Sequence, residues 1–143
     1  MCGAFRGVSI KLIRGPFLST LDEGKIKKIL DKYKKSFFSG LYAYLILLTM
    51  EEKGEPTYGY EIAKMVELKT QGFVKLTMGT LYPILKKLEK DGILKSYWAE
   101  SKDGPPRKYY VITDIGREFL KEVKKLWEAL RTSIDKYSGV TGN

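Results

Sequence analysis

Apolar residues recur at helical spacing in five stretches of the chain. From Asp22 they fall at Ile26, Ile29, Leu30, Tyr33 and Phe37, with Lys25, Lys27, Lys28, Lys32, Lys34 and Lys35 on the remaining surface, which predicts a basic amphipathic helix over 23–38. Ser36, Ser39 and Gly40 are expected to weaken or kink it, after which Leu41, Tyr44, Leu45 and Leu48 predict a second, more buried helix to about Lys53, ended by Gly54 and Pro56. Thr57 is the expected N-cap of a third, with Tyr58, Ile62, Met65 and Val66 inward and Gly72 as its stop. After a turn over 73–76, Thr77 can cap a fourth, whose Met78, Leu81, Leu85 and Leu88 return toward the core before Gly92 ends it.

Beyond Gly92 the period changes. Leu94, Ser96 and Trp98 alternate with Ile93, Lys95, Tyr97 and Ala99, residues 107–112 are rich in β-formers, and Asp103-Gly104 between them is a hairpin signal. A fifth helix, capped by Thr113, carries Ile115, Phe119, Val123, Leu126, Trp127, Leu130, Ile134 and Tyr137, more apolar surface than one small domain would leave exposed. The expected fold is mainly α with a small β-hairpin wing (α+β). An irregular extension over 1–22, with a short strand at 8–13, precedes a winged helix-turn-helix over 23–112 that includes the added basic helix. A dimerisation helix over 113–138 and a tail over 139–143 follow.

Composition narrows the chemistry. Among 143 residues there is one cysteine, Cys2, and no histidine, so disulfide frameworks, zinc sites and histidine-dependent catalysis are not expected. No metal, cofactor or catalytic constellation is expected either, and an enzyme is the weakest reading. The apolar run 41–50 is about half of a bilayer span, and Arg6, Lys11 and Arg14 divide the N-terminus into pieces too short for a signal peptide. A cytoplasmic protein without a membrane partner is expected. A net charge of +9 and a pI near 9.5 make nucleic acid the first partner to consider. Residues 24–54 hold seven basic against three acidic side chains, and residues 55–92 six against five, so the strongest basic block lies upstream of the helix-turn-helix. Its lysines can serve as a solvated face, a phosphate-contacting arm or a membrane-surface helix.

The helix from Thr77 has one face suited to DNA. With Leu81, Leu85 and Leu88 inward, Gly79, Pro83, Lys86 and Lys90 lie near the opposite side. The helix N-terminus offers unpaired N–H groups to a phosphate, Gly79 has no side chain to hold the backbone away, and Thr77, Thr80 and Tyr82 supply hydroxyls. The structural alternative is that Thr77 only caps, Thr80 bonds back to its own helix and Tyr82 packs. In the hairpin, Lys102, Arg107 and Lys108 flank a loop expected to be stiffened by Pro105 and Pro106, which sets basic groups on a tip able to grip phosphates or enter a minor groove.

Taken together, Gly59-Tyr60-Glu61-Ile62, then Thr77-Met78-Gly79-Thr80-Leu81-Tyr82-Pro83, then Gly104-Pro105-Pro106-Arg107-Lys108-Tyr109-Tyr110 resemble the PadR family of transcriptional regulators. The resemblance covers about 41–137 and leaves 1–38 outside it. It implies a dimeric repressor reading a pseudo-palindromic operator in double-stranded DNA through paired recognition helices and wings, with Thr77, Met78, Gly79, Thr80, Tyr82, Lys86, Lys102, Arg107 and Lys108 at the DNA. The family carries a similar Gly-Thr-Leu-Tyr-Pro run in its recognition helix, so the start at Thr77 is kept and a local distortion is expected at Pro83. Phe119, Val123, Leu126, Trp127, Leu130 and Ile134 would form the homodimer seam. Trp127, eleven residues after Gly116, looks like the tryptophan of multidrug-binding relatives and implies a small planar aromatic effector; a tryptophan buried between helices is the alternative. The rival class is a basic RNA-binding or ribosome-associated protein, which would use the same charge to recognise shape or single strands.

Overall fold

The computed structural model describes residues 22–139; the strand expected at 8–13 and most of the tail lie outside them. The chain divides into two compact units, Met1–Phe38 and Ser39–Asn143. The two segments expected as separate helices form one, α1, Glu23–Lys53, which continues past Ser36, Ser39 and Gly40. Two serines and a glycine each cost a helix about 0.5–1 kcal/mol, too little to end one flanked by lysines and leucines. Asp22 caps its start, the side-chain Oδ1 accepting from Gly24 N–H at 2.9 Å. In the first unit the apolar stripe is exposed at Ile29, Leu30, Tyr33 and Phe37. In the second, the same helix buries Ile46, Leu47 and Met50.

The second unit continues through β1 (Thr57–Tyr58), α2 (Gly59–Lys69), α3 (Met78–Lys90), β2 (Leu94–Ser101), β3 (Gly104–Ile112) and α4 (Asp114–Tyr137). Its sheet is antiparallel in the order β1-β3-β2, with Thr57 opposite Tyr110 and Leu94 opposite Ile112. This is a winged helix-turn-helix with one long helix before it and one after. Ile46, Leu47, Ile62, Val66, Leu81, Leu85, Leu94 and Leu120 form its core. Hydrophobic burial of roughly 1.5–3 kcal/mol for each such side chain holds α1, α2, α3, the sheet and α4 together.

Several local expectations change. Thr57 does not cap α2: it is paired in β1, only 1% exposed, and its hydroxyl donates to Glu61 Oε2 at 2.8 Å, so the N-cap position falls on Tyr58, which makes no side-chain cap bond. The extended backbone needed for pairing with Tyr110 runs one residue further than the capping pattern suggests. Met78, expected inward, is exposed, because the first turn of α3 projects beyond the core. Helix α3 keeps the expected start, with Thr77 as its N-cap, and carries Pro83 inside it. Pro105 and Pro106 belong to strand β3, and the hairpin loop is the two residues Lys102 and Asp103. Thr77 and Thr113 cap as expected, Oγ1 accepting from Thr80 N–H and Gly116 N–H.

One junction ties the helices to the wing. Gly92, at φ +75°, ends α3 in a conformation that a side chain would strain. Thr113 N–H then donates to Ile93 O at 3.1 Å, and the carbonyls of Gly92 and Ile93 both lie within reach of the Thr113 hydroxyl. A Cβ on Gly116 would lie 2.2 Å from Ile93 O and 2.8 Å from Ile112 Cγ2, so only glycine allows the first turn of α4 to sit there. Gly116→Ala is expected to destabilise the fold by about 3 kcal/mol or more, since backbone must move. Gly79→Ala, where the added atom would meet nothing closer than Thr77 Oγ1 at 3.9 Å, should leave stability equal or higher. Urea denaturation of the two variants checks the contrast; equal midpoints would refute it.

Candidate nucleic-acid interface

The outward face of α3 is open along its length. Thr77, Met78, Gly79, Tyr82, Pro83, Lys86 and Lys90 are all exposed, while Leu81, Leu85 and Leu88 are buried beneath them. Thr77 Oγ1 accepts from Thr80 N–H at 3.2 Å and donates to Thr80 Oγ1 at 3.1 Å, so both hydroxyls are engaged within the helix start. Tyr82 leans back over α2: a Cβ on Gly59 would lie 2.9 Å from its hydroxyl oxygen. The structural alternative for Thr77 and Thr80 therefore describes their hydrogen bonds, and their exposed edges remain outward.

The wing holds its basic residues in three different ways. Lys102 stands at the exposed tip. The Arg107 guanidinium lies 4.4 Å from the centre of the Tyr58 ring, a cation–π contact across the β1–β3 pair. Lys108 Nζ is 3.7 Å from Glu89 Oε2 of α3 and 5.7 Å from the Tyr110 ring. Glu89 also accepts from Ser96 Oγ, so one carboxylate fastens the wing to α3 and partly neutralises Lys108. The outer face of the sheet is an aromatic ladder, with Tyr58 and Tyr109 edge-on at 5.7 Å and Tyr109 and Tyr97 stacked at 5.9 Å.

Sequence reasoning missed Glu89, Trp98 and the short strand β1. Two residues are too few for a periodic signal. Trp98 shares the alternation of Leu94 and Ser96, and this places it on the side of the sheet facing α3; that pattern was available. Between α3 and the wing lies a cleft of about 680 Å³, lined by residues including Tyr82, Lys86, Trp98, Pro106 and Lys108.

The residues of α4 expected to form a seam divide. Phe119, Leu126, Leu130 and Ile134 are exposed, whereas Val123 and Trp127 are half-buried. At 3.6 residues per turn Trp127 lies on the flank of α4 that also carries the buried Leu120 and Gly116, and its ring centre is 6.3 Å from that of Tyr44 on α1. Lys124 adds an ion pair to Glu51 of α1 at 2.6 Å. Burial between these helices raises the Tyr44 hydroxyl pKa, with Lys124 opposing the shift. Among the described residues no group of His, Cys, Asp or Glu side chains is arranged to hold a metal ion, and no helix is long and apolar enough to cross a membrane.

The model of the transcriptional regulator PadR-like family matches residues 44–122, more than half of the chain. The chain belongs to that family. It is 34% identical over 93 residues to an uncharacterised protein of Lysinibacillus sphaericus, covering 65% of this chain and 84% of that one. A transcriptional regulator of Mycobacterium tuberculosis is 38% identical over 78 residues, 54% of this chain and 71% of its own. Among solved structures, a transcriptional regulator from Clostridium thermocellum superposes with a TM-score of 0.64 at 33% identity, covering 71% of this chain and 97% of that one. A PadR family transcriptional regulator from Eggerthella lenta gives 0.63 at 31% identity, covering 83% and 98%. The protein is a PadR-like transcriptional regulator.

Beside the interface, Glu61 accepts from Thr57 and pairs with Lys53. Burial acts to raise its pKa, but the hydrogen bonds from Lys53 and Thr57 and the charges of Lys53 and Arg107 outweigh it, and the net direction is down. A depressed carboxylate contributes stability that is present above its unfolded pKa and is lost as pH falls through the folded value. Unfolding midpoints of the wild type should therefore drop as pH falls from about 5 through the carboxylate range, and Glu61→Gln should flatten part of that drop. Parallel wild-type and variant profiles would remove Glu61 as a source.

Proposed function

We propose that this regulator is a dimeric repressor that binds a pseudo-palindromic site in double-stranded DNA, α3 entering the major groove and the wing reaching the adjacent backbone or minor groove. The observation that carries the reading is the outward face of α3: exposed, without a side chain at Gly79, basic at Lys86, and fastened to the wing by the Glu89 carboxylate. Thr77, Met78, Gly79, Thr80 and Tyr82 approach the DNA from the helix start, where unpaired N–H groups favour a phosphate. Lys86, Lys102, Arg107 and Lys108 supply cations around them. The lysines of 23–38 add sequence-independent affinity. The protein acts in the cytoplasm without a metal or cofactor.

Selection of bound fragments from genomic DNA tests this reading and delivers the site; preference for RNA over every duplex would support the RNA-binding reading instead. With a selected duplex, Lys86→Ala should weaken binding and reduce the slope of log affinity against log salt by about one. An unchanged slope in a folded variant would take Lys86 off the phosphates. Gly79→Leu should block docking without unfolding, since the position is open to solvent.

The exposed Phe119, Leu126, Leu130 and Ile134 support dimerisation through α4, with Val123 and Trp127 on the inner border of the same stripe. Leu126→Glu would place a charge in that seam and is expected to give a monomer at micromolar concentration with the winged domain intact. Sedimentation velocity reads the outcome; a dimer in the variant moves the seam elsewhere. A small planar aromatic effector stacking near Trp127 would act from the same helix, and Trp127→Ala should abolish its binding while the dimer persists.

A further inference from the structure

The cleft between α3 and the wing has walls of two kinds. Lys86 makes no ion pair among the described residues and faces it from α3, next to Tyr82. Opposite stand Trp98, Pro106 and Lys108 of the hairpin, with Trp98 directly across the ladder from Lys108. Trp98 is 69% exposed, and no ring contact places another aromatic against it among the described residues. Farther along β2, Ser96 is held by Glu89, so the wing is fastened to α3 two residues inward and Trp98 overhangs beyond the fastening.

An indole left in water beside two lysines suits a partner that alternates apolar and anionic groups at short repeat. A nucleic-acid strand does so, with deoxyribose between phosphates. Its base faces are covered by stacking within a duplex, which leaves the sugar as the apolar surface that a wall beside the backbone can reach. We propose that the cleft carries one sugar-phosphate strand of the bound duplex, with Lys86 at a phosphate and the Trp98 and Pro106 rings packed on a deoxyribose. This assignment rests on the reading that α3 docks on duplex DNA. Trp98 then selects DNA against RNA, since a 2′-hydroxyl pressed on the indole loses its water partners without gaining another.

The test uses the full-length protein and a duplex obtained from genomic selection, with single ribonucleotides placed in turn along one strand. For the all-DNA duplex, Trp98→Ala should lose roughly tenfold in affinity with an unchanged salt slope, because an apolar contact releases no counterions. Wild type should be weakened by a ribonucleotide at one or two positions per half-site, and Trp98→Ala should be indifferent there. Trp98→Phe, which keeps an apolar ring, should retain most of the affinity and the ribose sensitivity. Wild-type affinity in Trp98→Ala, or the same ribose penalties in both proteins, would overturn the assignment while leaving DNA binding standing. Failure of the wild type to bind any selected duplex would overturn the DNA reading and this assignment with it.

Discussion

The approach of α4 to the backbone of Ile93 is the constraint on which the rest of the second unit depends. The end of α3, the start of β2, the end of β3 and the first turn of α4 meet within a few residues of it, at Gly92, Ile93, Ile112, Thr113 and Gly116. The Thr113 hydroxyl serves both as cap for α4 and as a link to the turn after α3. The first turn of α4 therefore bears directly on the turn after α3 and on the ends of β2 and β3. That is the coupling a regulator needs if an event at α4 is to alter a surface at α3, and close packing transmits it because interiors are stiff.

Much of the architecture was legible in the order of residue types. Helices α2, α3 and α4 follow from three- and four-residue apolar spacing, the ends of α2 and α3 from Gly72 and Gly92, the caps of α3 and α4 from Thr77 and Thr113, and the hairpin from alternation around Asp103-Gly104. What was misread depended on contacts distant in sequence. Thr57 looks like a cap until Tyr110 pairs with it, and Pro105 and Pro106 look like a loop until the register closes Ser101 on Gly104. The continuity of α1 at Gly40 was a matter of magnitude, since one turn of weak formers does not outweigh the turns on either side.

The candidate interface was legible only as a set of residues. Helical projection put Gly79 and Lys86 outward, and both are. It could not reveal that Arg107 rests on Tyr58 or that Lys108 shares Glu89 with Ser96, because these pairings join strands and helices that no periodicity relates. The result is a candidate interface whose basic groups differ in their contacts: Lys86 and Lys102 are exposed and make no ion pair among the described residues, whereas Arg107 and Lys108 are held against aromatic rings. As a general matter, held cations lose less side-chain entropy on meeting an anion than exposed, unpaired ones do.

The chain's two tryptophans occupy different surroundings. Trp98 overhangs the cleft in water, while Trp127 is half-buried with Tyr44 close enough to pass it excitation energy. Native fluorescence consequently has two components that differ in exposure: a red-shifted emission open to collisional quenchers from Trp98, and a better protected one from Trp127 at the α1–α4 contact. An unlabelled sample can thus report on the cleft between α3 and the wing and on the α1–α4 contact in the same spectrum.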